Sequence, residues 1–116
     1  VVGVSRDELF GPVVMVGLGG VFVEVLKDVS FRVPPFDADE ARRMLGELQG
    51  FPLLEGARGA KPADVDALVD VIVKVGRLAQ DLADEVAEID INPLVVRPRG
   101  AVALDALVVK RERSAP

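Results

Sequence analysis

The sequence predicts an α+β domain with a mainly antiparallel sheet and two helices packed on one face. Short apolar runs joined by glycine and proline turns occupy the first and last thirds of the chain, as is typical of antiparallel strands. Two segments in the middle carry apolar residues at helical spacing. Half of the 116 residues are hydrophobic but only 4% are aromatic, so the core must be built from aliphatic side chains.

The first third of the chain predicts strands around one tight turn. Apolar runs predict strands at residues 1–4 and 13–16, and a period-two pattern predicts one at residues 29–33. Residues 21–25 also have strand character. The turn signal Phe10-Gly11-Pro12 joins the first two strands as a hairpin. Pro34-Pro35 ends the strand that begins at residue 29.

The middle of the chain predicts two amphipathic helices joined by a loop at residues 51–61. The first helix has Asp37 as its N-cap, with Glu40 at the spacing of a capping box, and Gly50 closes it. The second runs from about Pro62 to Asp84. The face of the second helix that we expect on the sheet contains Val65, Leu68, Ile72 and Ala79.

The last third predicts a single long hairpin. Residues 88–96 form its first strand, residues 97–100 the turn, and residues 101–108 the return strand. Residues 110–116 look like a frayed polar tail. We therefore expect one domain over residues 1–109, followed by the tail.

Composition excludes several classes of function. The chain has no cysteine and no histidine, which excludes disulfides, iron–sulfur clusters, thiol nucleophiles, Ser-His-Asp catalysis and ordinary zinc sites. The net charge is −5 with no basic stripe, so we expect no nucleic-acid partner. We also expect no membrane partner, because no apolar run approaches the roughly 20 residues that span a bilayer.

Oxygen-bearing side chains of the last hairpin share one face. Residues two apart on a strand point the same way, so Glu88, Asp90 and Asn92 lie together. Asp105, isolated in an apolar run, should lie across from Asp90 or Asn92. Such hard oxygen ligands suit Mg²⁺ or Mn²⁺. The alternative is a solvated strand face, but an Asp among apolar residues needs a partner or a cation if it is buried.

Two arginines and a group of glycines are candidates for contacts with anions. Arg32 on its strand and Arg58 in the loop between the helices are candidate phosphate or nucleotide ligands, the alternative being surface cations or ion pairs. Glycines 17, 19 and 20 match neither a dinucleotide fingerprint nor a Walker A loop. We interpret them as a sharp turn, with a phosphate cradle as the less favoured alternative.

Two segments resemble a known family. Residues 88–96, EIDINPLVV, with a short turn and ALDA at residues 103–106, resemble the metal-binding hairpin of the ATP-grasp fold. Residues 10–29, FGPVVMVGLGGVFVEVLKDV, are similar to NDP-forming (ADP-forming) acyl-CoA synthetases, which are related to the succinyl-CoA synthetase β chain. The resemblance covers nearly the whole chain and implies the C-terminal lobe of the ATP-grasp domain.

The resemblance assigns roles to particular residues. It implies that Asn92 and Asp105 hold Mg²⁺ or Mn²⁺ against the phosphates of ATP or ADP, with Asp90 as a candidate third ligand. It gives Glu88 no role, and it predicts no catalytic residue in this chain.

The resemblance also implies a larger cytoplasmic parent enzyme. This acetyl-CoA synthetase-like ligase would interconvert acyl-CoA, ADP and phosphate with acid, CoA and ATP through a phosphohistidine located elsewhere. The N-terminal ATP-grasp lobe, expected before Val1, and the CoA-binding domains would be partners of this chain, and the isolated chain would be inactive. The alternatives are a non-catalytic regulatory or assembly module of a synthetase-like region fused to a protein acetyltransferase, and a plain interaction domain.

Overall fold

The computed structural model describes residues 1–18, 28–56 and 61–112, and these residues contain seven strands and three helices. The predictions for residues 21–25, for Gly19 and Gly20, and for Arg58 lie outside the described residues. The elements are β1 Val2–Asp7, β2 Gly11–Gly17, β3 Val29–Arg32, α1 Ala38–Gly46, α2 Phe51–Leu54, α3 Val65–Asp81, β4 Val86–Ile91, β5 Leu94–Val96, β6 Ala101–Ala103 and β7 Ala106–Lys110.

Five strands form the main sheet in the order β3-β2-β1-β4-β7, and all neighbouring pairs are antiparallel. The predicted hairpin of β1 and β2 is confirmed. The Asp7 carboxylate closes its turn by accepting hydrogen bonds from the N–H groups of Leu9 at 2.8 Å and Phe10 at 3.1 Å. The pairing of β1 with β4 brings the last third of the chain against the first.

One face of this sheet packs against α1 and α3, which confirms the predicted α+β arrangement. The buried aliphatic side chains of the sheet are Val2, Val4, Val14, Val16 and Ile89. The predicted face of α3 packs against them, with Leu68 3% exposed and Ile72 0% exposed. The core is therefore aliphatic, as the composition requires. Among the described residues, no helix has the length and apolar character needed to cross a membrane.

The segment between the two long helices differs from the prediction. Helix α1 ends at Gly46, before the predicted end at Gly50, and the short helix α2 lies within the predicted loop. The Asp28 carboxylate explains the break, because it accepts hydrogen bonds from the N–H groups of Gln49 at 2.7 Å and Gly50 at 3.0 Å. Pro52 then occupies a first-turn position that favours a new helix.

Helix α3 is also shorter than predicted, since its N-cap is Asp64 and its last residue is Asp81. The Asp64 side chain accepts a hydrogen bond from the N–H of Ala67, and this cap sets the start of the helix in place of Pro62. The last strand reaches into the segment that was predicted as a tail. Lys110 belongs to β7, and the N–H of Arg111 donates to the carbonyl of Glu85 at 2.8 Å.

The predicted long hairpin is divided between two sheets. β4 pairs with β7 in the main sheet, whereas β5 and β6 form a separate two-stranded sheet. The division falls at Asn92–Pro93, a cis peptide bond, and at the residues that face it on the return strand. Ile91 faces Ala106 below the division and Leu94 faces Ala103 above it. One register therefore runs through both sheets.

Candidate functional site

The sheet face that the helices leave uncovered forms an open groove of about 350 Å³. Gly3, Met15 and Phe31 supply a largely apolar floor, and Asp90 and Asn92 line the same groove. Phe31 is 51% exposed even though it is aromatic. An apolar floor with a few oxygen ligands is the usual composition of a small-molecule site.

Because Gly3 has no side chain, nothing projects from this position into the groove. A Cβ atom at Gly3 would lie 3.2 Å from the carbonyl oxygen of Ile89 on the neighbouring strand. A larger residue would therefore push β1 and β4 apart and raise the floor beside Asp90, which faces Gly3 across the strands.

Asn92 and Asp105 face one another where the last hairpin passes from one sheet to the other. The N–H of Asn92 donates to the carbonyl of Asp105 at 3.1 Å, and the N–H of Leu104 donates to the carbonyl of Pro93 at 3.0 Å. The sequence placed Asp105 opposite either Asp90 or Asn92, and the register selects Asn92. Both residues are exposed, so the condition that Asp105 be buried is not met.

The donor set at this position fits a hard cation. Asp105 Oδ1 accepts a hydrogen bond from the N–H of Ala106 at 2.9 Å, and within the part of the chain that the structure describes Oδ2 has no hydrogen-bond partner. Magnesium is usually held by one or two carboxylates, with phosphate oxygens and water completing its shell. Asp105 offers one such carboxylate, and Asn92 adds an amide oxygen.

The larger acidic cluster suggested by strand alternation does not form. Residues 1–18, 28–56 and 61–112 contain no group of three or more acidic side chains gathered closely enough to hold a metal ion. Glu88 and Asp90 lie along the groove instead. The role of Asp90 as a third ligand stays a prediction.

Arg32 is held by two carboxylates of helix α1. Its Nε lies 2.8 Å from Glu40 Oε1, and its two terminal nitrogens lie 2.8 and 2.9 Å from the two oxygens of Glu47. Ser30, which is buried, also donates to Glu47. The geometry favours the ion-pair interpretation of Arg32 over phosphate binding, because both carboxylates already neutralise the guanidinium. The proposed role of Arg58 lies outside the described residues.

Because of the Arg32–Glu47 pair, we expect the protein to lose stability in acid. Hydrogen bonds from Arg32 and Ser30 lower the pKa of Glu47 from 4.5 to about 2. A lowered folded-state pKa stabilises the protein above the unfolded pKa, and this stabilisation is lost as the pH falls from about 4.5 towards 2. We expect Glu47→Gln to destabilise the protein more at about pH 5 than at about pH 3, as measured by denaturant unfolding. An equal difference at both pH values would contradict this assignment.

Sequence reasoning did not identify the groove floor. Met15 and Phe31 lie at alternate positions of β2 and β3, opposite in direction to the buried Val14, Val16 and Ser30. The signal was present, because a period-two strand places every second residue on the other face. An exposed Phe31 beside a half-buried Met15 on that face indicates a surface that binds something apolar.

Comparison with known proteins identifies the family. The model of the ATP-grasp domain matches residues 1–109. The chain belongs to the ATP-grasp domain family. This ATP-grasp chain is 53% identical over 109 residues to the β subunit of ADP-forming acetate–CoA ligase I of Pyrococcus furiosus, covering 94% of the chain and 47% of that relative. It is 40% identical over 100 residues to the ADP-forming 4-hydroxybutyrate–CoA ligase of Nitrosopumilus maritimus, covering 86% of the chain and 14% of that relative.

The solved structures agree with this assignment. The ATP-grasp chain superposes with a TM-score of 0.90, at 43% identity, on the dinucleotide-forming acetyl-coenzyme A synthetase 1 of Candidatus Korarchaeum cryptofilum, in a complex with coenzyme A and Mg-AMPPCP. The match covers 95% of this chain and 51% of that one. The resemblance to ADP-forming acyl-CoA synthetases predicted from the two sequence segments is confirmed, and the chain spans about half the length, or less, of these relatives.

Proposed function

We propose that this chain is the C-terminal lobe of the ATP-grasp domain of an ADP-forming acyl-CoA synthetase, and that it helps to bind Mg²⁺ and ATP or ADP. The observation that carries the proposal is the pairing of Asn92 with Asp105 in the hairpin whose Asp90 and Asn92 also line the apolar groove. Metal ligands and an apolar surface on one side of a sheet are what a magnesium–nucleotide complex requires.

In this proposal each feature of the chain has a separate task. Asn92 and Asp105 would hold the metal, which neutralises charge on the phosphoryl group during transfer. Met15 and Phe31 would offer apolar contact to the base or ribose, and Asp90 would add negative charge beside the metal. The chain itself contributes binding and orientation, because it contains no histidine to carry a phosphoryl group.

The parent protein would convert acyl-CoA, ADP and phosphate to acid, CoA and ATP, and the reverse. Its other parts would supply the N-terminal ATP-grasp lobe, the CoA-binding domains and the phosphohistidine. The relatives named above are ligases, which favours the catalytic interpretation over the regulatory module.

The direct test is an assay of the full-length protein that carries this chain. We expect ATP formation that requires an acyl-CoA, ADP, phosphate and Mg²⁺ together. The isolated 116-residue chain should give none, because the proposal assigns the other half of the nucleotide cleft to the N-terminal lobe. Turnover by the isolated chain would contradict the two-lobe proposal. Binding of Mg-ADP by the full-length protein without turnover on any acyl-CoA would instead favour the regulatory module.

A further inference from the structure

A single carboxylate joins the start of helix α3 to the turn of the last hairpin. Asp64 Oδ1 accepts a hydrogen bond from the N–H of Ala67 at 3.0 Å, which caps the helix. Asp64 Oδ2 accepts one from the N–H of Gly100 at 2.7 Å. The backbone N–H of Asp64 donates to the carbonyl of Arg97, also at 2.7 Å. Residue 64 therefore holds both ends of the turn at residues 97–100.

The turn is well defined by its own contacts. The N–H of Arg97 donates to the carbonyl of Gly100 at 2.9 Å, and Gly100 has a φ of 80°, a conformation that glycine adopts without strain. Leu94 and Val96 of the same small sheet pack against the core. The β5–β6 sheet is thus fixed to α3 along one side and at its tip.

The Asn92–Asp105 pair lies between two fixed ends. The main sheet holds β4 and β7 on one side of the pair, and Asp64 holds the turn on the other. Because one register runs through the whole hairpin, a shift at the tip is transmitted to the residues that face each other below it. Without the tip contact, β5 and β6 would be held only by their continuation from the main sheet and by side-chain packing against the core.

We propose that Asp64 is a positioning residue for the metal pair: by anchoring the hairpin turn, it keeps Asn92 and Asp105 at the separation that a shared cation requires. This inference rests on the proposed function. Metal sites depend on groups outside the ligand set that fix the orientation of the ligands. The hydrogen bonds from Gly100 and Ala67 also hold the pKa of Asp64 below its usual range.

A matched pair of variants separates the positioning role of Asp64 from its role as the N-cap of α3. Asp64→Ser retains an N-cap for α3, but its single oxygen cannot also reach Gly100. Asp37→Ser makes the same change at the N-cap of α1, where Asp37 Oδ1 accepts a hydrogen bond from the N–H of Glu40 at 2.9 Å. The described contacts of Asp37 do not involve the hairpin.

The test measures Mn²⁺ binding by isothermal titration calorimetry in the full-length protein with ADP present. We expect Asp64→Ser to weaken Mn²⁺ binding about tenfold, the lower end of what loss of an outer-shell partner costs. Asp37→Ser should leave the affinity unchanged. Hydrogen exchange should accelerate at the amides of Gly100, Asn92 and Leu104 in Asp64→Ser only.

The outcomes distinguish this inference from the proposed function. If Asp105→Asn weakens Mn²⁺ binding but Asp64→Ser behaves like Asp37→Ser, the positioning role is wrong while the metal site stands. If Asp105→Asn has no effect on Mn²⁺ binding, the metal assignment fails, and the role of Asp64 in positioning a metal pair fails with it. Hydrogen exchange then tests the anchoring of the hairpin by itself: unchanged exchange at Asn92 and Leu104 in Asp64→Ser would overturn the anchoring too, whereas accelerated exchange would show that Asp64 orders the hairpin without a metal role.

Discussion

Asp105→Asn in the full-length protein is expected to lower turnover while leaving the fold intact. The substitution removes one negative charge but keeps the size of the side chain, and its oxygen can still accept the hydrogen bond from Ala106. A bound cation contributes several kcal/mol to phosphoryl transfer. Since each 1.36 kcal/mol is a factor of ten in rate, we expect a loss of about 100-fold in kcat. The loss should be partly restored by high concentrations of Mg²⁺.

The control for Asp105→Asn is Glu88→Gln. Glu88 is an exposed carboxylate that lines the groove together with Asn92, and its neutralisation tests for a general effect of charge. We expect little change in turnover and none in Mg²⁺ dependence. If Asp105→Asn and Asn92→Ala both leave turnover and its Mg²⁺ dependence unchanged, the metal assignment is wrong. Melting temperatures of all three variants show whether a loss reflects unfolding.

Among the variants proposed here, Ile72→Ala is expected to lower the free energy of unfolding most. Ile72 is fully buried at the centre of the face that α3 packs on the sheet. Truncation to alanine removes apolar contacts and leaves a cavity, which typically costs about 2–5 kcal/mol. Since domains are stable by only about 5–15 kcal/mol, the variant should unfold at a much lower denaturant concentration.

The matched control is Leu78→Ala on the same helix. Leucine and isoleucine are isomers, so both variants lose the same number of carbon atoms. Leu78, however, is 44% exposed. We expect a change in the free energy of unfolding of about 1 kcal/mol or less. Similar losses for the two variants would show that α3 does not pack in the way described.

Periodicity was sufficient to predict most of the elements and the inner face of α3. The i, i+3, i+4 pattern of α3 and the N-cap at Asp37 reflect local rules, and the structure follows both. The predicted capping box is only half formed, because the Glu40 carboxylate binds Arg32 and Arg43. What sequence could not supply depends on distant contacts. Helix α2 exists because the Asp28 carboxylate, more than 20 residues away, binds the backbone at residues 49 and 50. No local pattern reports such a contact.

The apolar run of the last strand shows the same limit. Its composition predicts burial, yet Leu107 is 61% exposed and Val108 is 56% exposed. β7 lies at the edge of the main sheet, so residues that read as core are left at the surface. The order of strands in the sheet decides this, and the strand pattern alone does not contain that order.

The candidate site was partly predictable for a definite reason. Counting residues outward from the turn of a hairpin predicts which side chains face each other. For this hairpin the count placed Asp105 opposite either Asp90 or Asn92. The residue that faces Asp105 could be identified only from the strand register. The apolar floor of the groove could be identified only once the neighbouring strands were known. Arg32 was ambiguous from sequence because its acidic partners, Glu40 and Glu47, lie on a different element.

The shared register of the last hairpin also limits how its length can evolve. The main sheet fixes the pairing from one end, and the turn at residues 97–100 fixes it from the other. One extra residue between Pro93 and Leu104 would make the register fixed by the turn differ by one residue from the register fixed by the main sheet, and a bulge would have to form. Adding one residue to each strand lengthens the hairpin while Asn92 still faces Asp105, although it moves the turn away from Asp64. Insertions and deletions in this arm should therefore be inherited in even numbers, so that the arm can change in reach without a change in the pair at its base.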